Sequence, residues 1–176
     1  MEVLQLILLE TRRLLIRELR MDDIDRVMIV WGDPEVMQHC GGAGSRDQEM
    51  KHLQSYIKHQ EERGFSAYLV LEKKTGQFIG VCGFNPPNHG YDAELMYHIA
   101  KEHGGQGYAS EAMEACVDYA INDLKLTKLG ASITPDNVPS QRVVEKLGFR
   151  YIGKKWCNIT EQYDDYFELV ASSDQV

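Results

Sequence analysis

The chain has 176 residues, 43% hydrophobic and 26% charged, with a formal net charge of −8. That length suits one domain, 1–176, whose core can stand without staples. The acidic balance argues against a nucleic-acid partner and is compatible with cationic substrates. No apolar run approaches the roughly eighteen residues of a membrane-spanning helix, so no membrane partner is expected. Cys40, Cys82, Cys116 and Cys157 are far apart without CxxC spacing, which favours a cytoplasmic location over a disulfide framework.

The opening "VLQLILL", flanked by Glu2 and Glu10, reads as an ordinary lead-in and not as a signal peptide. In "RRLLIREL" (12–19), Leu14 and Ile16 alternate with Arg13 and Arg17, the period of a strand. A short helix follows Asp22. "SRDQEM" opens a longer helix, with Ser45 or Asp47 as cap and Met50, Leu53 and Ile57 as its buried stripe. His52 and His59, seven apart, can share a face of it. Without HExxH-type spacing they read as solvated surface, and no metal site is expected. "FSAYLVLEK" and "GQFIGVCGF" are strands around the hairpin signal "KKTG", and "YDAELMYHI" is a third, apolar enough on both faces to be central.

Next comes "EHGGQGYASEA" (102–112), with three glycines in four positions. Ala109, Ala112, Met113, Cys116, Val117, Ala120, Ile121 and Leu124 then mark one face of a helix of about five turns. "KLGASIT" (128–134) is a strand. "DNVPSQRVVEKLGF" is a helix with Asn137 as N-cap, Pro139 in the first turn and Gly148 at the left-handed stop. "FRYIGKKWCNI" and "QYDDYFELV" close the chain as two strands. The order is that of an α+β fold with one long sheet.

Glycine weakens helices, so its crowding at a helix start needs a reason. A helix N-terminus presents unpaired N–H groups and about half a positive charge, a ready anion site. Glycines let backbone approach a ligand with no Cβ in the way. Gly105, Gln106, Gly107, Tyr108 and Ala109 can therefore wrap a phosphate or pyrophosphate. A tight strand-to-helix turn holding nothing is the other reading. GxxxxGK[ST] is absent, and the acidic residue that a dinucleotide-binding βαβ unit places about twenty residues on is missing.

"AELMYHIAKEHGGQGYASEAM" followed by "PDNVPSQRVVEKLGF" resembles the GNAT N-acetyltransferase superfamily, more narrowly its RimJ/RimL-like branch, over roughly residues 11–170. The family's [RQ]xxGx[GA] motif falls on Gly104, Gly107 and Ala109, with Gly104 replacing the Arg or Gln. The NxxSxxxxEKLGF pattern is Asn137, Ser140, Glu145, Lys146, Leu147, Gly148 and Phe149. The resemblance implies a mixed, mostly antiparallel sheet of about six to seven strands flanked by helices and splayed at an acetyl-CoA site. Acetyl-CoA would be the acetyl donor. Tyr97 and Ile99 would offer main-chain groups to it, and the turn Gly104–Ser110 with Asn137 would complete its site. The acceptor would be a small-molecule or peptide amine, and the protein a monomer or homodimer.

Some relatives place a catalytic carboxylate at the strand position of Glu94, which can act as general base or be an ordinary strand carboxylate. Asp92 and the carboxylates of "EQYDDYFE" (161–168) line the acceptor mouth or are plain surface. Val144 stands where many relatives carry a tyrosine that protonates the leaving thiolate. Ser140, one helical turn earlier, is the substitute donor or a first-turn residue of its helix. A GNAT-fold module that holds CoA without turnover is the alternative function.

Overall fold

In the computed structural model, residues 7–172 are described. Eight strands form one sheet: β1 Ile7–Glu10, β2 Leu14–Glu18, β3 Ala67–Glu72, β4 Phe78–Asn85, β5 Ala93–Ile99, β6 Lys128–Ile133, β7 Arg150–Cys157 and β8 Gln162–Val170. The spatial order is β1-β2-β3-β4-β5-β6-β8-β7, with every neighbouring pair antiparallel except β5 and β6. The sheet exceeds the expected six to seven strands partly because of β1. This segment read as a lead-in: too short to show a period of its own, it becomes a strand by pairing with β2. Residues 3–6 of the lead-in lie outside the described residues.

Four helices cover the sheet: α1 Ile24–Trp31, α2 Arg46–Arg63, α3 Tyr108–Asn122 and α4 Val138–Lys146. The strand period of two divides the core between two faces. On β3, Tyr68 and Val70 pack with Ala112, Met113 and Cys116 of α3, whereas Leu69 and Leu71 pack with Val27 and Val30 of α1 and Leu53 of α2. Ser45 accepts the Gln48 N–H and caps α2, and Gly64 ends that helix with φ 80°. α3 stops at Asn122, about a turn short of the expected five, so Ile121 is its last stripe residue and Leu124 packs from beyond its end. Asn137 caps α4 by accepting the Ser140 N–H, as its side chain is suited to do.

Candidate active site

β5 and β6 are parallel partners only at Ala93–Leu129 and Glu94–Gly130. Beyond Glu94 the two strands part, while β5 stays paired with β4 as far as Ile99. The main-chain edge of residues 95–99 therefore faces a gap. A cleft of about 1050 Å³ opens there, reaching from the turn before α3 to α2 and the β7–β8 end. Glu94, Tyr97, Ile99, Gly104, Gly105, Gly107, Tyr108, Ala109, Ser110, Asn137 and Ser140 all line it; Gln106 does not, and is turned outward.

The glycine turn delivers the α3 N-terminus to this cleft. Gly105 and Gly107 sit at φ 72° and 79°, left-handed values that favour glycine. Gly107 is the N-cap and has no side chain to satisfy the first amides. Gly104, by contrast, is ordinary extended backbone at φ −65° and ψ 152°. Arg13 lies beside the turn, outside the residues that line the cleft. Its guanidinium stacks 4.2 Å from the Tyr108 ring centroid, bonds Glu111 at 2.7 Å, and lies 3.6 Å from where a Cβ on Gly107 would sit. A cation beside free helix N–H groups is a site for an anion. The sequence marks Arg13 only as the polar partner in a strand alternation, because 93 intervening residues separate it from Gly107.

On the α1–α2 face, Glu94 is 9% exposed and its Oε1 accepts the Tyr166 hydroxyl at 2.7 Å. Tyr166 is fully buried. Burial, then the Glu94 charge, hold its phenol well above the usual range, so it remains a donor. Gly130 makes this contact possible: a Cβ there would collide with the phenol oxygen. Glycine inside a strand signals such a close approach, and this was the available pointer to Tyr166. His98 lies on the same face of β5, four residues on. It accepts the Trp31 indole N–H on Nδ1 at 3.2 Å, and burial lowers its pKa to about 4. It is therefore neutral at ordinary pH and a poor base.

Three expected mouth carboxylates have other duties. Asp92 accepts the Thr127 and Lys128 amides and the Thr127 hydroxyl, pinning the start of β6. Glu168 and Asp165 pair with Arg150 and Lys154. Asp164 does line the cleft, 1% exposed.

On the α3–α4 face, the Tyr97 hydroxyl donates to the Ser140 carbonyl at 3.0 Å, joining β5 to the first turn of α4 across the parted strands. Tyr97 thus has a side-chain contact beside the main-chain groups that its strand position offers. Burial raises its phenol to about 12. Val144 is fully buried in the core, while Val143 and Ser140 border the cleft.

His59 also departs from expectation. His52 is exposed, but His59 is only 6% exposed, edge-on to Phe65 with centroids 5.0 Å apart. Among the described residues no cluster of His, Cys, Asp and Glu could hold a metal ion.

The sheet parted beside a glycine turn, with a helix N-terminus at its mouth, is the acetyltransferase architecture that the sequence motifs implied. The chain belongs to the GNAT family: the model of the acetyltransferase (GNAT) domain matches residues 13–150. Among curated proteins it is similar to uncharacterized protein YkkB of Bacillus subtilis (strain 168), 34% identical over 143 residues that span 77% of this chain and 83% of that one. It is 31% identical to uncharacterized N-acetyltransferase p20 of Bacillus licheniformis over 148 residues, 82% and 83% of the two chains. The acetyltransferase of Agrobacterium tumefaciens str. C58 superposes with a TM-score of 0.81 at 26% identity, covering 93% of this chain and 94% of that one.

Proposed function

We propose that the protein transfers the acetyl group of acetyl-CoA to a primary amine by direct attack, with Glu94 as general base. The acceptor is a protein N-terminus or a small-molecule amine. One observation carries this reading: the Glu94 carboxylate lies at the last paired position before β5 and β6 part, oriented by Tyr166 and bordering the cleft. A lysine-like amine with pKa of about 10.4 is neutral in roughly four molecules per ten thousand at pH 7, so a positioned base is useful.

Acetyl-CoA supplies an activated acyl group. The residues support its binding on several counts. The α3 N-terminus and Arg13 suit the pyrophosphate, and the left-handed Gly105 and Gly107 leave backbone accessible. The unpaired edge of β5 near Tyr97 and Ile99 offers main-chain groups to an extended arm and an N–H to developing negative charge. Gln106, turned away from the cleft, contributes its backbone at most. A departing thiolate, with pKa near 8.5 by analogy with cysteine, needs a hydrogen bond more than a full proton. Ser140 can donate one from α4.

The test is thiol release from acetyl-CoA by purified protein across a panel of primary amines, with thermal unfolding followed alongside. Acetyl-CoA at a hundred times its Kd adds about 2.7 kcal/mol of apparent stability. Amine-dependent thiol release is the expected result. A folded protein that shows neither a thermal shift nor release at millimolar acetyl-CoA would overturn the proposal.

A further inference from the structure

Three carboxylates border the cleft on its α1–α2 side and are buried: Glu49 at 6%, Glu94 at 9% and Asp164 at 1% exposure. Elsewhere in this fold a buried carboxylate has its cation. Asp23 takes a two-pronged bond from Arg17 at 2.7 and 2.8 Å. In the cleft, none of the three is bonded to lysine or arginine among the described residues. Glu94 accepts the Tyr166 hydroxyl, and Asp164 accepts the Ser132 and Thr160 hydroxyls and the Gln162 amide. Glu49 Oε2 meets His52 Nδ1 at 2.9 Å. Lys51 is the sole lysine, and no arginine is found, among the described residues that line the cleft. Burying a charge is expensive unless it is paired, so the cleft wall has carboxylates to spare for a ligand's cations.

A second observation is independent of the carboxylates. His59 lines the same cleft, is more than nine-tenths buried, and neither ring nitrogen has a hydrogen-bond partner among the described residues. An unmet buried donor and acceptor cost stability and call for an explanation. Burial and the Arg63 charge lower its pKa, so the ring is neutral and keeps a lone pair for an N–H donor.

Glu49, His52, Tyr56 and His59 are spaced three, four and three residues apart, on one face of α2. At 1.5 Å per residue the stripe runs about 15 Å. Tyr56 ties it to the base: its hydroxyl donates to Asn85 at 2.7 Å, and Asn85 is the direct β4 partner of Glu94. We propose that this stripe is a second acceptor subsite, so that the amine approaching Glu94 belongs to a linear molecule with at least one further ammonium group, held by Glu49, while His59 at the far end of the stripe accepts from a further N–H donor of a longer molecule. The inference rests on the amine-transfer reading and deepens it.

The experiment uses protein loaded with CoA, which carries no acetyl group, so that binding is read without turnover. Calorimetry compares cadaverine with n-pentylamine, which share a carbon chain and differ by one ammonium. Cadaverine is expected to bind at least about tenfold more tightly, or 1.4 kcal/mol. Glu49→Gln should bring that ratio toward one. Equal affinities in the wild type, no binding of either amine, or a ratio untouched by Glu49→Gln overturns the subsite. Thiol release from acetyl-CoA with cadaverine is scored separately. Its absence beside an intact binding ratio contradicts the transfer reading and leaves the subsite standing.

Discussion

Replacing Tyr166 by Phe removes one oxygen and little else, because the ring is fully buried and its neighbours keep their contacts. What is lost is the 2.7 Å hydrogen bond to Glu94. A hydrogen bond to a charged group contributes about 1.5–3 kcal/mol. If the phenol orients the base, that loss enters the barrier and slows turnover roughly ten- to a hundredfold. Gly130→Ala reaches the same bond from the opposite side. Its Cβ would lie 2.8 and 3.0 Å from Tyr166 ring carbons and displace the hydroxyl, with an overpacking cost of about 1–3 kcal/mol. Thiol release at saturating acetyl-CoA, where chemistry limits the rate, reads the turnover, and urea unfolding reads the stability. The two substitutions combined should cost turnover less than the sum of their separate effects, since both act through one hydroxyl. Wild-type turnover in Tyr166→Phe would refute the reasoning and leave the Glu94–Tyr166 contact as packing alone.

Other expectations follow from the same geometry. Arg13→Ala removes the cation beside Gly107 and should weaken acetyl-CoA binding about ten- to a hundredfold by calorimetry; an unchanged Kd would place the phosphates elsewhere. Ser140→Ala should slow turnover by a comparable factor while leaving unfolding unchanged, and unaltered kinetics would return Ser140 to its place in the α4 turn. His98 gives a pH dependence to stability. Its folded pKa of about 4 lies below the unfolded value near 6.5, so between these values the unfolded chain binds the extra proton. Stability from this group is complete above pH 6.5 and declines as pH falls toward 4, by about 3 kcal/mol in all. His59, also lowered, adds in the same direction. His98→Gln should flatten the difference between urea unfolding at pH 7 and at pH 5, and an undiminished difference would show that His98 is not its source.

The features legible in the sequence are those with a local signature. The glycine crowding at 104–107 announced the turn and the helix N-terminus. The α3 stripe announced its buried face, and Asn137 its cap, because each lies within a few residues of what it acts on. The features that were not legible join distant positions. Arg13 meets Gly107, and Tyr166 meets Glu94 across 72 residues, only because the sheet order brings β2 near α3 and β8 beside β6. His59 read as solvated because its neighbours on α2 are polar. Phe65, which packs edge-on against it, lies beyond the end of α2, so no window along that helix contains it. Gly130 was the missed local clue, a strand glycine whose reason was a phenol from another strand.

Glu94, as the base, makes the acceptor amine reactive, and its removal is the most direct test of the proposed transfer. Single-turnover transfer from acetyl-CoA to a primary amine, followed by the mass of the acetylated product, compares the wild type with Glu94→Gln. The variant is expected to retain wild-type affinity for acetyl-CoA, while the transfer step slows about 10²–10⁴-fold. A variant that acetylates the amine at the wild-type rate, with its acidic pH limb intact, would contradict this role of Glu94.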